Sequence, residues 1–176
     1  MFVAQTGSPS RPQSSRASLL LLGAALFAGC QDSSVGPNGE FEEVDYGNLT
    51  YRVKQVTIAE SFPVQIGVTV AVRNRTASTQ SVIFPDGCVV LMRAYRDDPA
   101  PVWDMATGLA CTLAVVQRDL EPGEEIEFGA GLVSAGTILG EALPSGEYRM
   151  TAYLRPGGDI VELEMGLFDL AQPLGP

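Results

Sequence analysis

The chain has 176 residues with 21 acidic and 11 basic side chains, so its formal net charge at pH 7 is −10. Nucleic acid repels such an acidic protein, so we expect no nucleic-acid partner. The chain has no histidine, which excludes Ser-His and Cys-His nucleophiles and histidine-ligated metals. We expect neither a cofactor nor a metal.

The N-terminal segment has the order of an export signal. Its only charges are Arg11 and Arg16, and an apolar run over residues 19–28 leads to Cys30. At about 1.5 Å per helical residue the run reaches about 15 Å, half of a ~30 Å hydrocarbon core, so it is too short to span a membrane. The ending Ala-Gly-Cys resembles the lipobox of bacterial lipoproteins, which implies a lipid on Cys30 and removal of residues 1–29. An ordinary secretory signal is the alternative.

Residues 30–44 are predicted to form a flexible tether, because a segment rich in Ser, Gly, Pro and Asn buries too little apolar surface to fold. Gln31 follows the cysteine, whereas enterobacterial lipoproteins kept in the inner membrane have an aspartate there. We therefore expect a lipid anchor in the cell envelope, in the outer membrane if the cell has one. Otherwise the anchor lies on the extracytoplasmic face of the cell membrane.

From residue 49 onward the pattern is that of short β-strands. Leu49, Tyr51 and Val53 alternate with polar residues, and a phase change near Gln55 predicts a bulge. Further strands are predicted within segments 64–74, 80–84, 88–96, 111–120, 125–132, 148–154 and 159–170. About seven or eight short strands separated by Pro and Gly predict an all-β domain over residues 45–176. We expect an antiparallel immunoglobulin-like β-sandwich, with a small barrel as the alternative.

Two cysteines remain if Cys30 carries a lipid, namely Cys88 and Cys111. Disulfides persist outside the cytoplasm, so an exported chain with this pair is expected to form the bridge. The bridge would close a loop of about two dozen residues and add about 3 kcal/mol in the chain-entropy model. The alternative is a pair of separate buried thiols.

The sequence between these cysteines contains the candidate binding loop, residues 97–108. A disulfide would fix its base and two prolines would stiffen its first half, so little entropy would be lost on binding. Its candidate contact residues are Asp97, Asp98, Pro99, Pro101, Asp104 and Met105. An ordinary crossover between two sheets is the alternative. A calcium site at the three aspartates is disfavoured, because no Gly-punctuated ligand loop surrounds them.

Other residues with catalytic side chains are better explained as surface charges. Lys54 could activate a serine, but it alternates onto the polar side of a strand. Glu124, Glu125 and Glu127 could be considered for glycoside hydrolysis, yet the last two share the polar side of a strand that follows a turn. We therefore predict that the protein is not an enzyme. A carbohydrate-binding module would need exposed aromatic rings, for which the candidates are Tyr95, Trp103 and Tyr153.

Four segments, in order and spacing, resemble the intracellular proteinase inhibitor (BsuPI) family. They are VTVAVRNRTASTQSV at 68–82, Pro-Val-Trp-Asp at 101–104, Leu-Glu-Pro-Gly-Glu at 120–124 and the strand after Leu-Pro-Ser-Gly-Glu-Tyr at 143–148. The resemblance covers about residues 49–155 and implies an immunoglobulin-like domain, with Trp103 in the core and Tyr148 anchoring a strand end.

The family name implies proteinase inhibition inside the cell, whereas the N-terminal signal predicts export. We therefore expect a lipid-anchored domain that binds a protein partner in the cell envelope without catalysis. The alternative is a proteinase inhibitor that acts through residues 97–108, in which case the partner is a protease.

Overall fold

The computed structural model describes residues 41–59, 61 and 63–172. The predicted signal peptide, Cys30 and the tether up to residue 40 lie outside them, so those predictions stay predictions. The described elements are β1 (Glu43–Tyr46), β2 (Leu49–Ala59), β3 (Gln65–Asn74), β4 (Gln80–Phe84), β5 (Leu91–Tyr95), β6 (Trp103–Asp104), β7 (Val116–Leu120), β8 (Glu125–Ser134), α1 (Ala135–Leu139), β9 (Gly146–Leu154), a 3-10 turn (Pro156–Gly158) and β10 (Val161–Leu170). No helix in this part of the chain has the length and apolarity needed to cross a membrane.

The strands form antiparallel sheets, as the sequence predicted. One four-stranded sheet has the order β1-β2-β3-β8, the other has the order β10-β9-β5-β6, and β4 pairs with β7. The sheets do not close into a barrel, so the sandwich prediction is confirmed and the barrel alternative is wrong. The chain has more strands than the seven or eight expected because β1 and β6 are short strands at sheet edges.

Alternating residues of facing strands supply the core, because every second side chain of a strand points to the same side. Strand β3 contributes a valine series that is completely or almost completely buried, and β9 contributes Tyr148, Met150, Ala152 and Leu154. These side chains belong to one hydrophobic cluster with residues of β2, β4, β5, β7 and β10. The cluster therefore lies between the sheets and joins them.

Two interruptions of the strand alternation are β-bulges, and the first is the one predicted near Gln55. The pairing of β2 with β3 shifts register between Val53 and Gln55. The pairing of β10 with β9 shifts between Glu164 and Gly166, where the glycine has a φ of 117°. Glycine adopts that positive φ without steric cost, which explains why the pattern of β10 changes at this residue.

One local prediction was wrong, and one short element was not predicted. The strand expected over 111–120 begins only at Val116, because its partner β4 ends opposite it at Phe84 and the following Pro85 has no backbone N–H to donate. The element that was not predicted is the short helix α1, which follows β8 directly. Ser134 caps it, since the Thr137 amide donates to the serine Oγ at 3.0 Å.

Asn74 joins two turns at one end of the sandwich. Its side chain is completely buried, and its Nδ2 donates to the carbonyl oxygens of Ser78 at 2.8 Å and Leu120 at 2.9 Å. Its main chain accepts from Gly123 and donates to Glu124, both at 2.9 Å. The asparagine that ends β3 and the Leu-x-Pro-Gly-Glu turn are therefore one structural unit.

Two aromatic residues fix other parts of the sandwich. Tyr148 is 1% exposed, and its hydroxyl donates to the Pro144 carbonyl oxygen at 2.6 Å, which anchors the start of β9. Trp103 packs against the core but remains partly exposed. The structural role expected for Tyr148 is thus seen directly, whereas Trp103 lies at the margin of the core.

Candidate binding surface

The candidate loop lies within residues 96–115, the connection between β5 and β7. Strand β6 interrupts this connection, because Trp103 and Asp104 pair with Ala94 and Arg93 of β5. The β5–β7 connection therefore has two exposed parts, and the predicted loop covers most of the first and only the beginning of the second. We call residues 96–102 the proline turn and residues 107–115 the disulfide segment.

Asp104 attaches the connection to the sheet. Arg93 Nε donates to its Oδ2 at 2.8 Å, and the Tyr153 hydroxyl and the Ala106 amide donate to its Oδ1 at 2.8 and 2.9 Å. Burial raises the pKa of Asp104, but these hydrogen bonds and the Arg93 charge outweigh it and hold the pKa below its usual range. Asp104 and the partly buried Met105 support the connection from within and do not present a contact surface.

The other four predicted contact residues lie together in the exposed proline turn. Asp97 forms an ion pair with Arg96, with 3.7 Å between Asp97 Oδ2 and Arg96 Nε. The Asp98 carboxylate accepts a hydrogen bond from the Ala100 amide at 2.8 Å. Pro99 and Pro101 follow Asp98 and are exposed. Each of the three aspartates of this connection thus has its own partner. Within residues 41–59, 61 and 63–172, the group of side chains close enough together to ligate a metal lies elsewhere. It includes Cys88 and Cys111, which are joined by a disulfide.

The disulfide prediction is confirmed, with the Cα atoms of Cys88 and Cys111 5.4 Å apart. Asp86 holds the first cysteine, because its carboxylate accepts from the Cys88 amide at 2.9 Å and from Arg155 at 2.7 Å. The chain next to the second cysteine is held by the Gly87 amide, which donates to the Thr112 carbonyl oxygen at 3.0 Å. The middle of the disulfide segment is therefore tied twice to the β4–β5 connection.

Large apolar side chains are exposed in the disulfide segment. Leu113 is 96% exposed, Val115 63% and Leu109 42%. No charged residue occurs from 105 to 116. Sequence reasoning missed this surface because it placed residues 111–115 in a strand. Pro85 was the available signal, since it ends the partner strand opposite Val116.

The remaining catalytic and carbohydrate candidates have structural explanations. Lys54 forms ion pairs with Glu127 and with Glu125, the latter at 3.9 Å, and Arg52 also pairs with Glu125 at 3.1 Å. Their charges compensate one another on the outer face of the first sheet. Tyr95 and Tyr153 are 4% and 2% exposed, so neither offers a ring face to a sugar.

The family can now be assigned. The model of the intracellular proteinase inhibitor family, BsuPI, matches residues 49–157. The chain belongs to the BsuPI family. The match begins at the first residue of β2 and includes the Asn74 turn, the β5–β7 connection and all of β9. BsuPI is described as an inhibitor and not as an enzyme.

Solved structures similar to this BsuPI domain include an ApaA-type protein from Bordetella pertussis, with 20% identity, 77% of this chain and 98% of the other covered, and a TM-score of 0.35. Another is a beta-glucosidase from Listeria innocua in complex with glucose. It has 13% identity and a TM-score of 0.36, and the match covers 69% of this chain and 16% of the glucosidase. A third is a beta-glucosidase from Paenibacillus barengoltzii. It has 14% identity and a TM-score of 0.39, and the match covers 73% of this chain and 15% of the glucosidase. The chain thus spans about a sixth of each glucosidase. No curated protein sequence matches the chain.

Proposed function

We propose that this BsuPI domain inhibits a proteinase by binding to it through the β5–β7 connection. The match to an inhibitor family over residues 49–157 carries the proposal. It favours inhibition, which was the alternative expectation from the sequence, over binding of an unrelated envelope protein. Both readings share non-catalytic binding of a protein partner.

The attachment of the connection supports this function. An inhibitory segment binds more tightly when it is ordered before the complex forms, because less conformational entropy is lost on association. Asp104 fixes the middle of the connection to β5 and β9, and the Cys88–Cys111 bridge fixes the disulfide segment at Cys111. The two exposed parts are therefore presented by a fixed support.

The export signal and Cys30 define where the inhibitor would work. In this proposal the lipidated protein is held at the cell envelope, and its target is a proteinase exposed in that compartment. The disulfide is consistent with that location, because such bonds persist in oxidising compartments and are rare in the cytosol. This location departs from the word "intracellular" in the family description.

The test is a panel of serine, cysteine and metallo-endopeptidases incubated with the full chain, purified in detergent without reductant. We expect stoichiometric inhibition of at least one enzyme at micromolar concentration, with the inhibitor intact on a denaturing gel. Intact protein on the gel separates inhibition from competition by a slowly cleaved substrate. If correctly folded protein inhibits no member of the panel, the proposal is wrong.

A further inference from the structure

We infer that Leu113 enters the primary specificity pocket of the target, which is therefore an endopeptidase that accepts a large aliphatic side chain there. This inference rests on the proposed function and adds the contact residue and the class of enzyme. It places the main contact in the disulfide segment and not in the proline turn, where the sequence had suggested it.

The exposure of Leu113 is the first observation. At 96% it is far more exposed than the next large apolar residues of the described chain, Val115 at 63% and Leu167 at 61%. An aliphatic side chain held in water gains free energy when an apolar pocket encloses it. Leu113 is thus the side chain of the connection that gains most from such a pocket.

The main chain around Leu113 is the second observation. Among the described residues, no backbone–backbone hydrogen bond outside the regular strands and helices involves residues 113–115. A segment with free main-chain groups can pair with an exposed strand edge of its partner, and side-chain pockets then provide the specificity. An endopeptidase cleft that holds its substrate as an added strand satisfies both requirements.

The third observation is that these residues are held on both sides. Cys111 is bonded to Cys88 two residues before Leu113, and the Thr112 carbonyl accepts from Gly87. Strand β7 begins at Val116, immediately after the free segment. Only three residues lie between these two supports. The segment therefore loses little conformational entropy when it binds.

Charge distinguishes the disulfide segment from the proline turn. The proline turn carries Arg96, Asp97 and Asp98, all of them exposed. Residues 105–116 carry no charge, so this segment can enter an apolar cleft without burying an unpaired ion. The disulfide segment therefore fits the apolar substrate cleft of the enzyme, whereas the proline turn fits the polar rim of that cleft.

The experiment compares Leu113→Arg with Leu167→Arg, a matched change at another exposed leucine, on β10. Both are measured with an enzyme that the unsubstituted chain inhibits, and both folds are checked by circular dichroism and thermal unfolding. We expect the inhibition constant of Leu113→Arg to rise about 100-fold for an enzyme with an apolar pocket, and that of Leu167→Arg to change less than about twofold. Leu113→Arg is also expected to improve inhibition of an enzyme that cleaves after arginine.

Three outcomes would overturn the inference. If the unsubstituted chain inhibits and Leu113→Arg inhibits equally well, the contact lies elsewhere and the proposed function stands. The same holds if Asp97→Ala with Asp98→Ala abolishes inhibition and Leu113→Arg does not. If the chain inhibits nothing and light scattering shows that Leu113 mediates dimerisation, the occupant is a second copy and both proposals fall.

Discussion

Among single residues, Asp104 has the clearest link between electrostatics and stability. Its carboxylate accepts hydrogen bonds from Arg93, Tyr153 and the Ala106 amide, so its ionised form is favoured in the folded state and its pKa is lowered. Its stabilising contribution is therefore present above the unfolded pKa near 4 and is lost as the pH falls through the lower folded pKa.

We predict that Asp104→Asn lowers the free energy of unfolding by about 2 kcal/mol at pH 7, because hydrogen bonds to a charged group are lost or weakened. The difference from the unsubstituted chain should shrink as the pH falls below about 4 and through the lowered pKa of Asp104, where its own Asp104 becomes protonated. Urea unfolding across this pH range measures both values. Asp97→Asn is the control and should unfold like the unsubstituted chain. An Asp104→Asn difference that stays constant with pH contradicts the assignment.

The role of Asp104 could not be read from the sequence, because its partners Arg93 and Tyr153 are 11 and 49 residues away along the chain. Only the pairing of β5 with β6 and β9 brings the three together. Tyr148 was easier, because the Pro144 carbonyl that it binds is four residues away. Residue roles were thus predictable where the contact is local.

At the level of elements, alternation predicted β2, β3 and β9 well because a period of two is a local property of a half-buried strand. The bulge near Gln55 was visible for the same reason. Residues 111–115 were misassigned because strand formation requires a partner, and β4 ends at Phe84. The candidate site lies where that local signal fails, so its most exposed residue, Leu113, was missed.

Among the elements, the disulfide is the one whose removal we expect to change how the target enzyme treats the chain. Without the bridge, an inhibitor should become a substrate. With Cys88→Ser and Cys111→Ser together, the free energy of unfolding should fall by about 3 kcal/mol, because the bridge spans 23 residues and no longer restricts the unfolded chain. The freed disulfide segment should then be cleaved by the target enzyme. Urea unfolding and mass spectrometry of the fragments measure the two effects.

The control for cleavage is the bridged chain, which should stay intact under the same conditions. Fragments that end outside residues 105–116 would indicate general unfolding and contradict a local role for the bridge. A doubly substituted chain that inhibits as well as the bridged one would also contradict it, since pre-ordering of the segment would then be unnecessary.

For the whole molecule, the property that sets its location is whether the BsuPI domain is tethered to a membrane. All 21 acidic residues follow Cys30, so anionic lipid repels the domain and a lipid chain would have to supply the attachment. We predict that labelled palmitate enters the full chain expressed in a bacterium, that the protein sediments with membranes, and that its mass shows the loss of residues 1–29. Cys30→Ala should abolish all three.

The chain with Cys88→Ser and Cys111→Ser is the control and should keep the label, because neither of those cysteines is the acceptor. Label in Cys30→Ala, or an unlabelled soluble chain that keeps residues 1–29, would place the protein with the intracellular inhibitors that its family name describes.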